Sequence, residues 1–210
     1  MTLPTAPAVL DIRGLHFAYP GEPPLVSDWT HAVGPGVTLL YGDTGSGKST
    51  LLRVLSGDLP AEGRLTLRGV DLDRDPGAYR RQVFFVDPVT QAFDPVTGLA
   101  CTATLRDGDA AFDDARWQSL VEGFGLAPHI EKPMYMLSTG SKRKVWLAAA
   151  LASSRALILL DEPTGALDAG SVRRLWAAIA EVADQPGRAV VIGSYERIDR
   201  VTLAATIELP

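Results

Sequence analysis

Apolar residues in this 210-residue chain come in two kinds of block. The first kind is short and nearly continuous: Val37-Thr38-Leu39-Leu40-Tyr41, Val83-Phe84-Phe85-Val86, Ala156-Leu157-Ile158-Leu159-Leu160 and Ala189-Val190-Val191-Ile192. Runs without polar alternation predict strands covered on both faces, the usual condition of a parallel sheet. The second kind recurs at helical spacing. Trp117, Leu120, Val121 and Phe124 follow a cap at Asp113 or Asp114, and Val172, Leu175, Trp176 and Ile179 mark a helix over Ala169 to Ala183. Lys142 to Ala152 predicts a strong helix, and Leu51 to Pro60 a helical stretch with a glycine and proline stop. Strand-like Val201 to Leu209 closes the chain. The pattern predicts an α/β fold.

One strand leads into chemistry. After Val37–Tyr41 comes Gly42-Asp43-Thr44-Gly45-Ser46-Gly47-Lys48-Ser49-Thr50, which fits GxxxxGK[ST], and a helix follows. Strand, glycine loop and helix in that order are what the pattern needs to mean phosphate binding. Glycines let successive backbone N–H groups curl round an anion, and the helix start adds partial positive charge. Lys48 is placed to reach the terminal phosphates, and Ser49 to offer its hydroxyl to Mg²⁺. The segment predicts a nucleoside triphosphate site.

Composition narrows the class. With 46% hydrophobic and 21% charged residues, the chain reads as globular and soluble, one domain or one core with an inserted lobe. A net charge of −5 speaks against broad nucleic-acid binding, and no nucleic-acid partner is expected. Single Cys101 excludes an internal disulfide and fits a reducing cytosol as a packed side chain. The apolar stretch Val145 to Leu160 is interrupted by Ser153, Ser154 and Arg155, too short for a membrane span. Met1 to Ala8, with two prolines and no positive charge, does not read as a signal peptide.

A second landmark is Ala156-Leu157-Ile158-Leu159-Leu160-Asp161-Glu162-Pro163. An apolar strand delivering two acids to the carboxyl edge of a parallel sheet places Asp161 to hold Mg²⁺ opposite the glycine loop. Glu162 is then placed to polarise an attacking water.

Between these landmarks lies Leu137-Ser138-Thr139-Gly140-Ser141. Glycine loop, this segment, Leu-Leu-Asp-Glu-Pro-Thr and Ala166-Leu167-Asp168 together resemble the ATP-binding cassette (ABC) family over essentially the whole chain. The usual signature is Leu-Ser-Gly-Gly-Gln, so Ser138 and Gly140 match while Thr139 and Ser141 depart. The resemblance implies a P-loop NTPase with a RecA-like core, a small antiparallel β layer and an inserted helical lobe. It divides one ABC ATPase domain, 1–210, into the layer (1–36 and 61–75), the nucleotide-binding core (37–60, 76–87 and 155–210) and the lobe (88–154). Leu10 to Tyr19 and Gly63 to Gly69 are then strands of the layer. Tyr19, which stands 29 residues before Lys48, is placed to stack on adenine, with Phe17 as the competing ring. Ser138 and Gly140 are expected to reach the γ-phosphate held by a partner cassette.

Two positions break the family pattern. A glutamine normally follows the strand that ends at Val86, where it touches the metal and the attacking water. Here Asp87-Pro88 follows, and either Gln91 reaches back or Asp87 takes the place. A histidine normally stands where Tyr195 is, where its imidazole can donate to the γ-phosphate and help hold the catalytic acid; a phenol donates one hydrogen bond without becoming a cation at neutral pH. His16, His31 and His129 lie too early to fill that slot.

The implied activity is hydrolysis of Mg-ATP by two cassettes, homo- or heteromeric, on the cytoplasmic face of a membrane, coupled to separate transmembrane permease subunits. Tyr195 and Asp87-Pro88 would make it slow. The competing readings are a non-transport cassette acting as a nucleotide-dependent switch for a soluble partner, and a P-loop kinase. Neither a coiled-coil insertion nor a second cassette supports the first, and the order of motifs argues against the second.

Overall fold

In chain order the strands are Leu10–Phe17 (β1), Val26–Val33 (β2), Gly36–Tyr41 (β3), Glu62–Leu67 (β4), Val70–Asp71 (β5), Val83–Phe85 (β6), Leu157–Asp161 (β7), Ala189–Ser194 (β8) and Leu203–Glu208 (β9). The helices are Lys48–Leu55 (α1), Pro76–Arg81 (α2), Gly98–Leu105 (α3), Asp114–Gly123 (α4), Thr139–Ala152 (α5) and Ala169–Ala183 (α6). The computed structural model describes residues 7–209. Residues 1–6 and Pro210 lie outside the described residues, and with them most of the segment Met1 to Ala8 and the outer ends of the ranges 1–36 and 155–210.

Two sheets divide the strands. The core sheet is parallel, in the order β6-β7-β8-β3-β9, and the smaller sheet is antiparallel, β2-β1-β4-β5. Period-two geometry explains why the core strands are apolar without alternation. Ile158 and Leu160 face one side with Val190 and Ile192, against α4, α5 and α6. Leu157 and Leu159 face the other side with Val191, against α1 and the inner face of the antiparallel sheet. Both sides of β3, β7 and β8 are therefore core, whereas the edge strand β9 is mostly exposed.

Several elements escaped the hydrophobic pattern. Strand β2 lies at a sheet edge with most of its residues exposed or half-buried, so it carries little apolar signal. Helix α2 has six residues, capped by Asp75 and opened by Pro76, too few for a repeat. Helix α3, Gly-Leu-Ala-Cys-Thr-Ala-Thr-Leu behind the Thr97 cap, is apolar or small nearly all round and shows no polar face. Helix α1 ends at Leu55 rather than near Pro60, because Gly57 takes φ +82° and turns the chain. Of the two candidate caps for α4, Asp113 accepts from the Arg116 N–H at 2.8 Å.

Three helices between β6 and β7, α3, α4 and α5, lie together, and besides the apolar packing of α4 and α5 on the sheet a polar seam ties them to the core. Arg155 donates to the carbonyls of Leu105 (2.9 Å) on the lobe and Val83 (3.2 Å) in the sheet. Asp109 accepts from the Ser153 hydroxyl and the Ser154 N–H at the end of α5. Cys101 is fully buried in the lobe, and burial pushes its thiol up to about 11, so it behaves as a small hydrophobe. Among the described residues, no helix is long and apolar enough to cross a membrane.

At the end of α1 remote from the glycine loop, fully buried Tyr79 of α2 donates its hydroxyl to the Leu55 carbonyl, 2.8 Å away. Tyr79→Phe leaves that carbonyl without a partner at no change of shape. We expect a loss of about 1–3 kcal/mol in urea unfolding, with nucleotide affinity unchanged.

Candidate functional site

Three adjacent strand ends build the site. Strand β8 lies between β7 and β3, and Gly193 of β8 pairs with Asp161 on one side and Leu40 on the other. The glycine loop after β3 and the acids after β7 therefore emerge at one level of the carboxyl edge, the crevice where α/β sheets bind ligands. Gly193 lies between the two: a Cβ there would press on Leu52 Cδ1 at 3.1 Å and stand in ordinary contact with Asp161 Oδ1 (3.4 Å) and Lys48 Cβ (3.5 Å).

Residues Gly42, Asp43, Thr44, Gly45, Ser46, Gly47, Lys48, Ser49 and Thr50 form one loop running into α1. Gly45 and Gly47 take φ +87° and +90°, the left-handed region in which a loop of N–H groups can close on itself. Gly47 caps α1 without a side-chain hydrogen bond, and no acidic residue stands in the first turn, so those amides face outward unneutralised. Ser46 Oγ is buried with no partner. Lys48, only 6% exposed, donates to the Gly42 and Asp43 carbonyls at 2.8 Å each and lies 3.9 Å from Glu162 Oε1. Its charge is fixed over the mouth of the loop.

The two acids sit in different cages. Asp161 Oδ1 is buried and has no hydrogen-bond partner. Burial pushes this carboxyl up, and neighbouring Asp87 adds to it, while the Ser49 hydroxyl, Lys48 and Arg143 pull it down. An orphaned carboxylate oxygen beside a serine hydroxyl is a donor pair that suits a hard divalent cation such as Mg²⁺. Glu162 is held through both oxygens. Oε1 accepts from the Tyr195 N–H at 3.0 Å, and Oε2 from the Ser194 hydroxyl at 3.4 Å. Burial also pushes Glu162 up, against the pull of the Tyr195 amide and Lys48. A carboxylate fixed in orientation and raised in basicity is equipped to polarise a water.

The remaining sequence-derived positions separate. Phe17 is buried in the core, whereas Tyr19 is 46% exposed, edge-on to Phe17 at 5.1 Å, with its hydroxyl 3.2 Å from Thr50 Oγ1. Of the two rings, Tyr19 is the one with a free face beside the start of α1. Gln91 is exposed, and no side-chain hydrogen bond ties it to Ser49 or Asp161. Asp87 is the loop residue whose charge reaches Asp161, and it lies 3.8 Å from Arg53 of α1. The Tyr195 ring is 52% exposed, so Glu162 is gripped by its backbone rather than its phenol.

Ser138 caps α5, accepting from the Ser141 N–H at 3.1 Å, and its side chain stays exposed. Gly140 has a further reason to be glycine: a Cβ would lie 2.2 Å from the Ala166 carbonyl. The loop after β7 thus rests directly on the first turn of α5, with Ala166 itself in a left-handed conformation at φ +61°.

Sequence reasoning missed the cations of α5. Lys142 pairs with Asp94, Lys144 pairs with Asp168 at 2.7 Å, and Arg143 donates to the Glu162 carbonyl. The legible signal was Lys142-Arg143-Lys144 itself, because positive charge near a helix start opposes the dipole unless each group finds a partner.

A family described as ABC transporter matches residues 31–165. The chain is 31% identical over 205 residues to a taurine import ATP-binding protein, TauB, of Pseudomonas entomophila, covering 96% of this chain and 79% of that protein. It is 37% identical over 202 residues to a nickel import ATP-binding protein, NikO, of Rhodobacter capsulatus, covering 89% and 79%. A solved ATP-binding subunit of an ABC transporter superposes with a TM-score of 0.78 at 23% identity, covering 89% and 79%, which speaks to the fold.

The Gly140–Ala166 contact yields a prediction. Gly140→Ala drives a methyl into a backbone carbonyl, an overpacking that costs about 1–3 kcal/mol. Chemical unfolding should show that loss, and Ser141→Ala, half-buried on the same turn with no close backbone above it, should show less than half of it.

Proposed function

This chain belongs to the ABC transporter family as an ATP-binding subunit that hydrolyses ATP to drive transport, and from that premise we propose the residues and the assembly that do the work. The observation that carries the reading is the convergence of Lys48, Asp161 and Glu162 around Gly193 at one sheet edge. The loop Gly42 to Thr50 holds the phosphates of ATP through its amides and Lys48. Ser49 and Asp161 hold Mg²⁺, which supplies positive charge against the β- and γ-phosphates. Glu162, oriented by Ser194 and the Tyr195 amide, takes the proton of the attacking water. Tyr19 stacks on adenine through its free face. The phenol of Tyr195 offers a hydrogen bond but no cation, and Asp87 stands where an amide would be neutral, so turnover is slow.

Two cassettes, of this chain or of this chain with a relative, face each other so that Ser138 and Gly140 of one complete the site of the other. The exposed cap at Ser138, on a turn braced from behind by Ala166, supports such a role. The chain works with membrane permease subunits, and the helical lobe is the proposed docking side. Val89, Leu99, Tyr135 and Met136 expose large apolar surface there, and a bridge between Thr97 and Pro133 joins the segments just before Leu99 and Tyr135. The domain is one unit over 1–210, with the layer, core and lobe divided as the sequence suggested. Its working place is the cytoplasmic face of the membrane. The transporter relatives import taurine and nickel by name, and import of a small polar solute is the proposed direction here.

Two variants test this reading. Lys48→Ala should weaken ATP binding roughly 10- to 100-fold in equilibrium titration, the loss of a charged contact to phosphate, while the unfolding midpoint stays near that of the parent. Glu162→Gln should bind Mg-ATP normally and lose about 10²–10⁴ in turnover. It should also run as a dimer on sizing chromatography with Mg-ATP. A Glu162→Gln variant that hydrolyses at the parental rate and stays monomeric contradicts both the role and the paired assembly.

A further inference from the structure

Glu162 is strained. It takes φ +42°, a left-handed conformation uncommon outside glycine, at the position just before Pro163. A following proline biases a residue toward extended backbone, so the conformation is opposed twice and persists only if its surroundings impose it. The peptide groups around Glu162 show how. Its N–H donates to the Gly193 carbonyl at 2.9 Å, and its carbonyl accepts from the Gly165 N–H at 3.1 Å. The same carbonyl accepts from Nη1 of Arg143, the one side chain in the set.

Arg143 is an unusual choice for this duty. It projects from the second turn of α5, half-buried, with Nε buried and unpartnered and, among the described residues, no carboxylate within ion-pair distance. Burial pulls its guanidinium down, and the charges of Asp161 and Glu162 push it back up. The cation is therefore held among two acids but spends its directed hydrogen bond on a backbone carbonyl. Its Nη1 also occupies the space a Cβ on Gly165 would need, so the loop beyond Glu162 is shaped to admit it.

We propose that Arg143 is a positioning residue for ATP hydrolysis: by gripping the Glu162 carbonyl it fixes the left-handed peptide that aims the Glu162 carboxylate. The proposal rests on the reading of Glu162 as the group that polarises the water. It makes α5 bifunctional. The helix start presents Ser138 outward, and one turn later Arg143 sets the hydrolytic end of the same chain. A shift of α5 relative to β7 would disengage the carboxylate without touching the phosphate loop.

The test uses the purified full chain and four variants: Arg143→Met, Arg143→Lys, Glu162→Gln and the double variant Glu162→Gln/Arg143→Met. Arg143→Met should lower kcat roughly 10- to 100-fold, the range of one hydrogen bond from a charged donor. KM for ATP should change less than about threefold, and Mg-free equilibrium affinity should stay at the parental value. Arg143→Lys, which keeps a charged donor on a long stem, should recover kcat to within about threefold. In single-turnover measurements the double variant should be no slower than Glu162→Gln, because a residue that acts through Glu162 has nothing left to aim. Should the methionine variant fail to fold by thermal unfolding, Arg143→Gln replaces it, since its amide is two bonds shorter than Nη1. Parental kcat in Arg143→Met overturns the proposal, as does an equal fall in Mg-free affinity, or a further drop in the double variant. Parental turnover in Glu162→Gln brings down the reading beneath it as well. An inactive Glu162→Gln beside a fully active Arg143→Met removes this proposal alone.

Discussion

A strand of four apolar residues ending in two carboxylates sets the central constraint. Leu157 to Leu160 are buried, and the chain then delivers Asp161 and Glu162 into the mouth of that apolar sheet. Charge in such a place is costly unless cations and N–H groups stand opposite. Lys48 approaches from the start of α1, Arg143 from α5, and the Tyr195 amide from the residue after β8. Each of these comes from a different segment. The acids are therefore at full strength only when the phosphate loop, the lobe helix and the last core strands are all in place, and the site is a property of the whole fold.

The same constraint joins two surfaces that face different ways. Gly140 lets the loop after β7 rest on α5, and Lys144 and Arg143 clasp that loop at Asp168 and Glu162. Ser138 projects from the free end of the same helix. A partner that engages Ser138 acts on a rigid element whose other contacts are the proposed catalytic carboxylate and its loop. Close packing makes such a linkage discrete rather than gradual.

The core was legible because parallel strands buried on both faces have nothing polar to confuse them; β7 and β8 could be read from composition alone. The phosphate loop was legible because its chemistry demands residue types at fixed spacing. Strand β2, half-exposed at an edge, and α2, one and a half turns long, carry no periodic signal and become visible only through pairing and capping. In the site, the acids and Lys48 could be named from the chain, whereas their support could not. Arg143, the Ser194 hydroxyl and the Tyr195 amide are brought to Glu162 from 19 to 33 residues away, by a register no local pattern encodes. Gln91 against Asp87 was left open for a similar reason. Which residue of a loop points inward depends on its turn, here closed by Asp87 accepting from the Val89 and Thr90 amides.

Tyr195 shows why a departure from a family pattern need not disable a site. A side chain at that position was expected to do two things, to meet the γ-phosphate and to hold the catalytic acid. In this structure the second task falls to the backbone N–H, at 3.0 Å from Glu162, with the Ser194 hydroxyl on the other oxygen. A backbone donor is indifferent to the residue that carries it, so exchanging imidazole for phenol leaves the grip on Glu162 intact. On the proposed reading, what changes is the contact to phosphate, where a neutral hydroxyl on a half-exposed residue replaces a group able to carry charge. The substitution would then separate two functions that one histidine would combine, and it leaves the orientation of the proposed base to the sheet edge itself.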